Sequence, residues 1–401
     1  MQDLAIVGLG LIGSAALRHA AEASASVVGI GPAEPQDWTD HDGPFASHYD
    51  SGRVTRRLDA RLEWAILASR SIAQYQTIEA RSGIEFHRPT GLAFVRSDED
   101  GIANLGRVAA ELDIPTEIGP VGTVLADVAA LHFPESMTVI REPGPAGAID
   151  PRRMIEAQHR AAIGLGALVA RDVVVSIRPS LSGFELLTAA GRTHQAANVL
   201  LAAGAYSNRF LSAPLSVGIR PEVVAMGEID DASARSLDNM PSIIHLVDHP
   251  ALDDVYVVPP ARYPDGRWYI KIGGSQRLAA VLDDDESMNR WMGQGQADAY
   301  LPALQETLTR ILPAVDFRAW RTRPCLITDT ASRLPYIDTL ESGITVAFGG
   351  NGHAAKSADA IGALDAGLAL ERGWSDGELD HALFTPRFDP YEVPTGSRHG
   401  G

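Results

Sequence analysis

Three glycines near the start of the chain, Gly8, Gly10 and Gly13, have the spacing of a phosphate-binding turn. In such a turn the first glycine bends the chain, the second lets backbone N–H groups approach a phosphate, and the third lets helix and strand pack closely. Leu11 and Ile12 begin a segment rich in helix formers, whose positive dipole end would face the phosphates. The spacing therefore predicts a site for the pyrophosphate of a dinucleotide.

The segments on either side of this turn support that interpretation. Residues 4–7 are an uncharged apolar run, as expected for a parallel strand buried on both faces, and residues 27–30 form a second run at the spacing of a βαβ unit. An acidic residue normally follows the second strand and binds the ribose. Here Gly31 stands in that place and Glu34 is the nearest carboxylate. The sequence thus predicts an intact pyrophosphate half and a weakened adenosine half.

Composition and charge narrow the class of partner. The 401 residues are enough for two domains, and 45% apolar with 21% charged residues is typical of a globular protein. A formal net charge of −17 argues against nucleic acid or anionic membrane as a partner, because both need a basic face. We found no signal-peptide pattern and no apolar run approaching ~18 residues, so we expect a cytoplasmic location. The single cysteine, Cys325, excludes an internal disulfide, and we predict no metal site.

The order of the predicted elements indicates an interleaved α/β fold. A buried strand at residues 199–205 runs into a glycine turn, and residues 344–370 repeat the strand, glycine turn and helix pattern. The intervening residues 217–320 alternate short strands with a predicted long helix around residues 286–312, and residues 167–177 are predicted as one strand. Because the nucleotide-binding pattern occurs at both ends, we expect the C-terminal part to complete the first domain.

Six segments, in order, resemble the flavin-dependent amine oxidases of the monomeric sarcosine oxidase and N-methyltryptophan oxidase type, within the D-amino-acid oxidase superfamily. They are the first glycine turn and residues 47–56, 201–207, 269–273, 323–325 and 348–356. Six ordered matches are more specific than one glycine motif. The resemblance implies FAD as cofactor, held in a Rossmann-like domain of glutathione-reductase type interleaved with an α+β substrate domain built on an antiparallel sheet.

The order and composition of the segments give the expected domain bounds, and the resemblance implies the cofactor contacts. The FAD-binding domain is expected at residues 1–85, 150–216 and 321–386, the substrate domain at 86–149 and 217–320, and a loosely ordered tail at 387–401. The residues implied to contact FAD are Gly8, Gly10, Leu11, Ile12, Gly13, Glu34, Ser47, His48, Arg53, Val54, Val174, Ala203, Gly204, Tyr206, Cys325, Gly350, Asn351, Gly352, His353 and Lys356.

Cys325 falls where that family attaches its flavin through a thioether to the 8α-methyl group. The alternative is an inert structural cysteine, since free cysteine is among the most buried residue types. Because the only cysteine of the chain lies in the matching Arg-Pro-Cys triplet, the resemblance favours a covalent flavin.

Lys271 lies in an apolar segment, where a lysine commonly protects an edge strand from pairing. The resemblance instead implies the lysine near the flavin N5 that promotes reaction with O2. This role is physically reasonable, because superoxide formation develops negative charge that a fixed cation stabilises.

Arg53 and Arg56 could belong, with Arg57, to a solvated charged face. The resemblance assigns Arg56 to the substrate carboxylate, whose oxygens match the guanidinium donors, and places Arg53 close to the flavin. Lys356 matches the second carboxylate-binding cation. The alternative for Lys356 is the first turn of a surface helix, but the helix dipole disfavours a cation there, which suggests an anion nearby.

Departures from the family pattern affect the amine pocket. Ser275 stands in place of a histidine, Val257 with Tyr256 adjacent aligns with a pocket tyrosine, and Tyr49 replaces the second histidine of a pair. These departures argue against sarcosine itself as the substrate.

The sequence therefore predicts an FAD-dependent oxidase of a secondary amine or cyclic imino or amino acid that bears an anionic group, using O2 and releasing hydrogen peroxide. The catalytic residues are predicted to be Lys271, Arg53, Arg56, Lys356 and Tyr49. The alternatives are a flavin amine dehydrogenase with another electron acceptor, an NAD-dependent dehydrogenase, and a non-catalytic flavin- or nucleotide-binding protein.

Overall fold

Two large β-sheets organise the chain in the computed structural model, which describes residues 1–38, 41, 43–276, 281–282, 284–293 and 296–392. The strands are β1 (Gln2–Val7), β2 (Val27–Gly31), β3 (Arg53–Thr55), β4 (His87–Arg88), β5 (Leu92–Arg96), β6 (Glu117–Pro120), β7 (Thr138–Glu142), β8 (Gly147–Ile149), β9 (Leu168–Arg171), β10 (Val174–Ser180), β11 (Gly183–Thr188), β12 (Thr193–Leu201), β13 (Val217–Ile229), β14 (Ser242–His249), β15 (Leu252–Arg262), β16 (Trp268–Gln276), β17 (Ala319–Thr330), β18 (Tyr336–Thr339) and β19 (Ile344–Phe348). The helices are α1 (Leu11–Glu22), α2 (Leu62–Ser82), α3 (Glu99–Glu111), α4 (Val121–Val124), α5 (Pro151–Gly164), α6 (Asp231–Ser236), α7 (Asp285–Gly293), α8 (Leu301–Ile311) and α9 (Ala354–Ala369).

The first sheet carries the nucleotide-binding pattern. Its strands follow the order β10-β11-β12-β1-β2-β9, with β19 beside β12 and β18 beside β19, and β1 is parallel to both β12 and β2. Residues 4–7 of β1 are all buried, which explains why this strand lacks an alternating pattern. Helix α1 packs against both α9 and α5. The two strand, glycine turn and helix units therefore lie side by side, which confirms the interleaved fold class.

The second sheet is mainly antiparallel, in the order β17-β13-β16-β15-β14-β5-β7-β6. A hydrophobic core covers one of its faces, and Leu304 and Leu308 of α8 belong to that core. A small sheet, β3-β8-β4, carries Arg53 at the start of β3. The opposite face of the large sheet is thus left to form one wall of a cleft.

Two predicted elements are each divided in the structure. Residues 167–177 form β9 and β10, because the chain turns at Asp172, whose carboxylate accepts the Val173 N–H at 2.8 Å. The long helix predicted around residues 286–312 is two helices, α7 and α8. Pro302 lies in the first turn of α8, the helical position that tolerates proline.

The pairing of β17 also affects the predicted domain bounds. This strand pairs with β13 from Ala319 to Thr330, so the bound at residue 321 divides a strand of the antiparallel sheet. At the predicted tail, the carbonyl of Arg387 accepts the Ser216 N–H at 2.7 Å. The rest of that tail, residues 393–401, lies outside the described residues.

Candidate active site

The first glycine turn lines one end of a long cleft. Gly8 has a φ of +101°, where glycine is favoured, and a Cβ added there would overlap the backbone of Ala202. A Cβ on Gly13 would overlap the carbonyl of Gly8, so Gly13 allows the close packing of helix and strand rather than lining the cleft. The first turn of α1 carries no acidic side chain. Its N–H groups are therefore suited to a phosphate.

The structure explains the missing ribose acid. A Cβ on Gly31 would lie 2.8 Å from the backbone nitrogen of Leu9, so this position has no room for an acidic side chain. Glu34 forms two hydrogen bonds with Arg152, both of 2.6 Å, and does not line the cleft. Asp172, which the sequence analysis did not single out, does line this end of the cleft.

Most of the residues implied to contact the cofactor lie along this cleft. The end next to the first glycine turn is lined by His48, Val174, Ala203 and Tyr206, and Gly10, Ser47 and Gly204 line both ends. The other end is lined by Leu11, Ile12, Arg53, Val54, Cys325, Gly350, Asn351, Gly352, His353 and Lys356. Among the predicted cofactor residues, Gly13 and Glu34 do not line it. The fit supports a long dinucleotide whose two halves meet at the glycine turn.

Arg56 and Lys356 both line the second end of the cleft. Both pair with Asp59, a carboxylate that the sequence did not indicate. Asp59 Oδ2 lies 3.0 Å from a terminal nitrogen of Arg56, 3.0 Å from Lys356 Nζ and 3.0 Å from Nδ1 of His353. Burial favours the neutral acid, but Lys356, His353 and Arg56 outweigh it and hold the pKa of Asp59 well below its usual range. With Arg56 and Lys356 positive and Asp59 negative, these three groups carry one net positive charge beside the cleft.

Asp59 does not pair with every donor nitrogen of Arg56 and Lys356. Arg56 is only 5% exposed, and its Nε has no hydrogen-bond partner among the described residues. Burial lowers the pKa of Lys356 to about 8, although Asp59 opposes that shift. Lys356 is 1% exposed, so the surface-helix alternative for this residue is wrong. An unpaired, buried guanidinium nitrogen in a cleft wall indicates an anionic ligand.

Lys271 belongs to a second buried cluster. Its Nζ lies 2.6 Å from Asp50 Oδ2 and also donates to the carbonyl of Gly52, while Arg53 Nε lies 3.2 Å from the same Asp50 oxygen. Burial lowers the pKa of Lys271 to about 8, and Asp50 opposes the shift. Because β16 pairs with strands on both sides, the edge-strand alternative is wrong. Lys271 does not itself line the cleft; its Nζ lies 5.5 Å from the ring centre of Tyr256, which does.

Arg53 also approaches the cysteine. One of its terminal nitrogens lies 2.7 Å from the carbonyl oxygen of Ser47 and 3.6 Å from Cys325 Sγ. Tyr49 lies behind Cys325, in a small cavity separate from the main cleft, and its hydroxyl donates to the carbonyl of Ala33 at 3.2 Å. The structure therefore brings Arg53 and Cys325 together at the cleft but places Tyr49 beneath it.

The alignment of Val257 with a pocket tyrosine is wrong. Val257 is fully buried in the core on the far face of the sheet, whereas the adjacent Tyr256 lines the cleft and lies over Gly273. The alternation of side chains along a strand explains the one-residue error. Since a tyrosine is present after all, this position no longer argues against sarcosine as substrate.

The comparisons with known proteins agree with this geometry. The model of the family described as FAD dependent oxidoreductase, abbreviated DAO, matches residues 3–368, so the chain belongs to that family. A monomeric sarcosine oxidase from Streptomyces avermitilis is 24% identical over 96% of this chain and 97% of its own length.

Two solved structures share the fold over nearly the whole chain. NikD, described as an unusual amino acid oxidase essential for nikkomycin biosynthesis, has a TM-score of 0.77 and 20% identity in its open form, covering 98% of this chain and 99% of its own. The L-proline dehydrogenase from P. horikoshii has a TM-score of 0.72 and 16% identity, covering 96% of each chain.

These findings confirm the fold class and an FAD-dependent oxidoreductase resembling the sarcosine oxidases. The NAD-dependent and non-catalytic alternatives are therefore wrong. None of the helices in the described ranges has the length and apolarity needed to cross a bilayer.

Proposed function

We propose that this protein oxidises a secondary amine or a cyclic imino or amino acid that bears an anionic group, passing the electrons to O2. The observation that carries the proposal is the buried Arg56 in the cleft wall, with an unpaired Nε and with Lys356 beside it. A guanidinium and an ammonium on one wall suit a carboxylate, because charge-assisted hydrogen bonds are stronger than neutral ones.

The proposed mechanism is mainly one of positioning. Bound FAD would accept the two electrons and the hydrogen removed from the carbon next to nitrogen. Arg56 and Lys356 would fix the substrate anion, and Asp59 would hold these two cations in place through its 3.0 Å contacts. Holding the reacting carbon in one geometry can lower the barrier by up to about 7–11 kcal/mol, the gain available to well-oriented reactants.

A screen of N-alkylated and cyclic amino acids for peroxide release tests this function. Methyl esters of the same compounds are the matched control, since they lack the anion that Arg56 and Lys356 would bind. Bleaching of the flavin by an amine without peroxide, and with slow recolouring in air, would favour a dehydrogenase. Failure of every amine to bleach the flavin anaerobically would overturn the proposal.

We also propose that FAD is covalently attached through Cys325. Cys325 is 7% exposed and lines the cleft, and its Sγ lies 3.6 Å from a guanidinium nitrogen of Arg53. Acid precipitation should leave the yellow colour in the pellet of the unmodified protein, and Cys325→Ala should release it to the supernatant. Free FAD from the unmodified protein would show that the attachment does not occur.

A further inference from the structure

The chain has only two lysines among its 34 lysine and arginine residues, and both lie in the candidate active site. Lys271 and Lys356 are each 1% exposed, and each pairs with a buried aspartate. A lysine can lose its charge when its surroundings lower its pKa, whereas an arginine stays charged. Asp59, which pairs with Lys356, holds the anion-binding cations in the proposed mechanism. Asp50, which pairs with Lys271, has no role in that mechanism.

Both oxygens of the Asp50 carboxylate are fixed by polar contacts. Oδ2 lies 2.6 Å from Lys271 Nζ and 3.2 Å from Arg53 Nε. Oδ1 accepts the hydroxyl of Tyr263 at 2.8 Å and the backbone N–H of Ser51 at 2.8 Å. Asp50 is 4% exposed, so water competes little for these contacts. The carboxylate therefore fixes the position of the Lys271 ammonium.

Asp50 also affects the charge of Lys271. Burial favours the neutral acid, but Lys271 and Arg53 outweigh it and hold the pKa of Asp50 well below its usual range. Asp50 is thus a full negative charge next to an amine whose neutral form is favoured by burial and by the charge of Arg53. Removal of this negative charge would leave those two effects largely unopposed.

We infer that Asp50 is a positioning residue for the reaction with O2, because it holds the Lys271 ammonium beside Tyr256 and keeps it charged. The inference rests on the proposed oxidase function. Tyr256 lines the cleft, and Lys271 Nζ lies 5.5 Å from the centre of its ring. Superoxide formed in the cleft would thus be stabilised by a cation of fixed position. Asp50 lines the small cavity behind Cys325 rather than the cleft, so it would act through Lys271.

Other charged and titratable groups also surround Lys271. The hydrogen bonds of its Nζ are to Asp50 and to the uncharged carbonyl of Gly52, so we expect Asp50 to have the largest effect on its charge. The surrounding groups are Arg53 on β3, Tyr256 on β15, Tyr263 after β15, Glu222 on β13, and Arg323 and Cys325 on β17.

The charge of each lysine can be followed directly by NMR, because the chain has only two. Holoenzyme labelled with 13C at the lysine ε carbon should give one signal for each, and Lys271→Met assigns them. We expect Lys271 to titrate with a midpoint of about 8. In Asp50→Asn that midpoint should fall by about one pH unit or more, since a nearby opposite charge typically shifts a pKa by about 1–3. Lys356 is the internal control and should not move. An unchanged midpoint of Lys271 would overturn the inference.

Reoxidation by O2 gives a second readout. The flavin is reduced photochemically, so that no substrate is needed, and the reduced enzyme is mixed with O2 in a stopped-flow instrument. Asp50→Asn should reoxidise about tenfold more slowly than the unmodified enzyme at pH 9, as a midpoint about one pH unit lower requires, and the difference should shrink as the pH falls. Tyr263→Phe removes an uncharged contact of Asp50 and keeps both charges, so as the matched control it should retain a midpoint near 8. Equal slowing of Asp50→Asn at every pH would mean that Asp50 only supports the fold, against the inference.

The Asp50→Asn variant may leave Lys271 as a buried cation without its counter-ion and fail to fold. The double variant Asp50→Asn/Lys271→Met removes both charges and should reoxidise at about the rate of Lys271→Met alone, because Asp50 acts through the lysine. A further tenfold loss in the double variant would show an independent role and refute the inference. Failure of the reduced unmodified enzyme to react with O2 would instead refute the proposed oxidase function.

Discussion

Replacing Lys271 by methionine should slow the reaction of the reduced enzyme with O2 by about a hundredfold or more, the loss typical of one preorganised electrostatic contact. Superoxide formation creates a full negative charge, which a buried cation stabilises strongly in a site of low dielectric. Oxidation of the amine forms no superoxide, so anaerobic reduction of the flavin should change much less. Stopped-flow measurement of the two half-reactions separates these effects.

The contacts of Lys271 define the controls. Its pKa of about 8 means that the rate of reoxidation should fall as the pH rises through 8, and the methionine variant should lack this dependence. Tyr263→Phe removes another hydrogen bond to Asp50, of 2.8 Å, without changing any charge, and should alter reoxidation only slightly. Equal slowing of both half-reactions in Lys271→Met would mean that the lysine positions the substrate or supports the fold.

Replacing Arg56 by alanine should lower kcat/KM by a factor equivalent to about 2–4 kcal/mol of transition-state stabilisation. The reason is the loss of a charge-assisted, bidentate contact to the substrate anion. Lys356 and Asp59 would remain as a buried ion pair, so the cleft would lose its net positive charge. The effect should be confined to the anionic amines, with their methyl esters changed far less. Steady-state kinetics on both series give the comparison.

One further variant tests whether the paired donors of the guanidinium matter, and a second is a control for the loss of an arginine outside the cleft. Arg56→Lys keeps the charge but not the paired donors and should retain part of the activity. Arg61→Ala removes an arginine that pairs with Glu63 at 3.3 Å and does not line the cleft, so it should have little effect. A loss under tenfold in Arg56→Ala would show that this arginine does not anchor the substrate.

The fold was largely predictable because its main signals are local. The first βαβ unit, the capped helix from Pro151 and the strand at β19 each depend on short patterns of apolar residues, glycine and proline. The wrong element bounds are at two positions where a short turn or helix-start signal interrupts a longer segment of uniform composition. The turn at Asp172 and the break before Pro302 each divide a segment whose composition alone favours continuation.

The candidate site was predictable in its cations but not in its carboxylates. Asp50 and Asp59 each lie three residues from an arginine that they pair with, a spacing that could have drawn attention to them. Glu222 lines the cleft from β13 and pairs directly with Cys325 on β17, a relation that depends on the register of the two strands. Register between distant strands follows from the assembled sheet rather than from local residue patterns.

The interleaving of the first sheet has a consequence for synthesis on the ribosome. Strand β12 separates β1 from β19, and α1 packs against α9, which ends at Ala369. At ~5–20 residues per second, the glycine turn emerges on the order of tens of seconds before its C-terminal partners. During that interval the nascent chain has neither Lys356 nor the second glycine turn. The complete cleft can therefore form only after residues 349–356 have been synthesised.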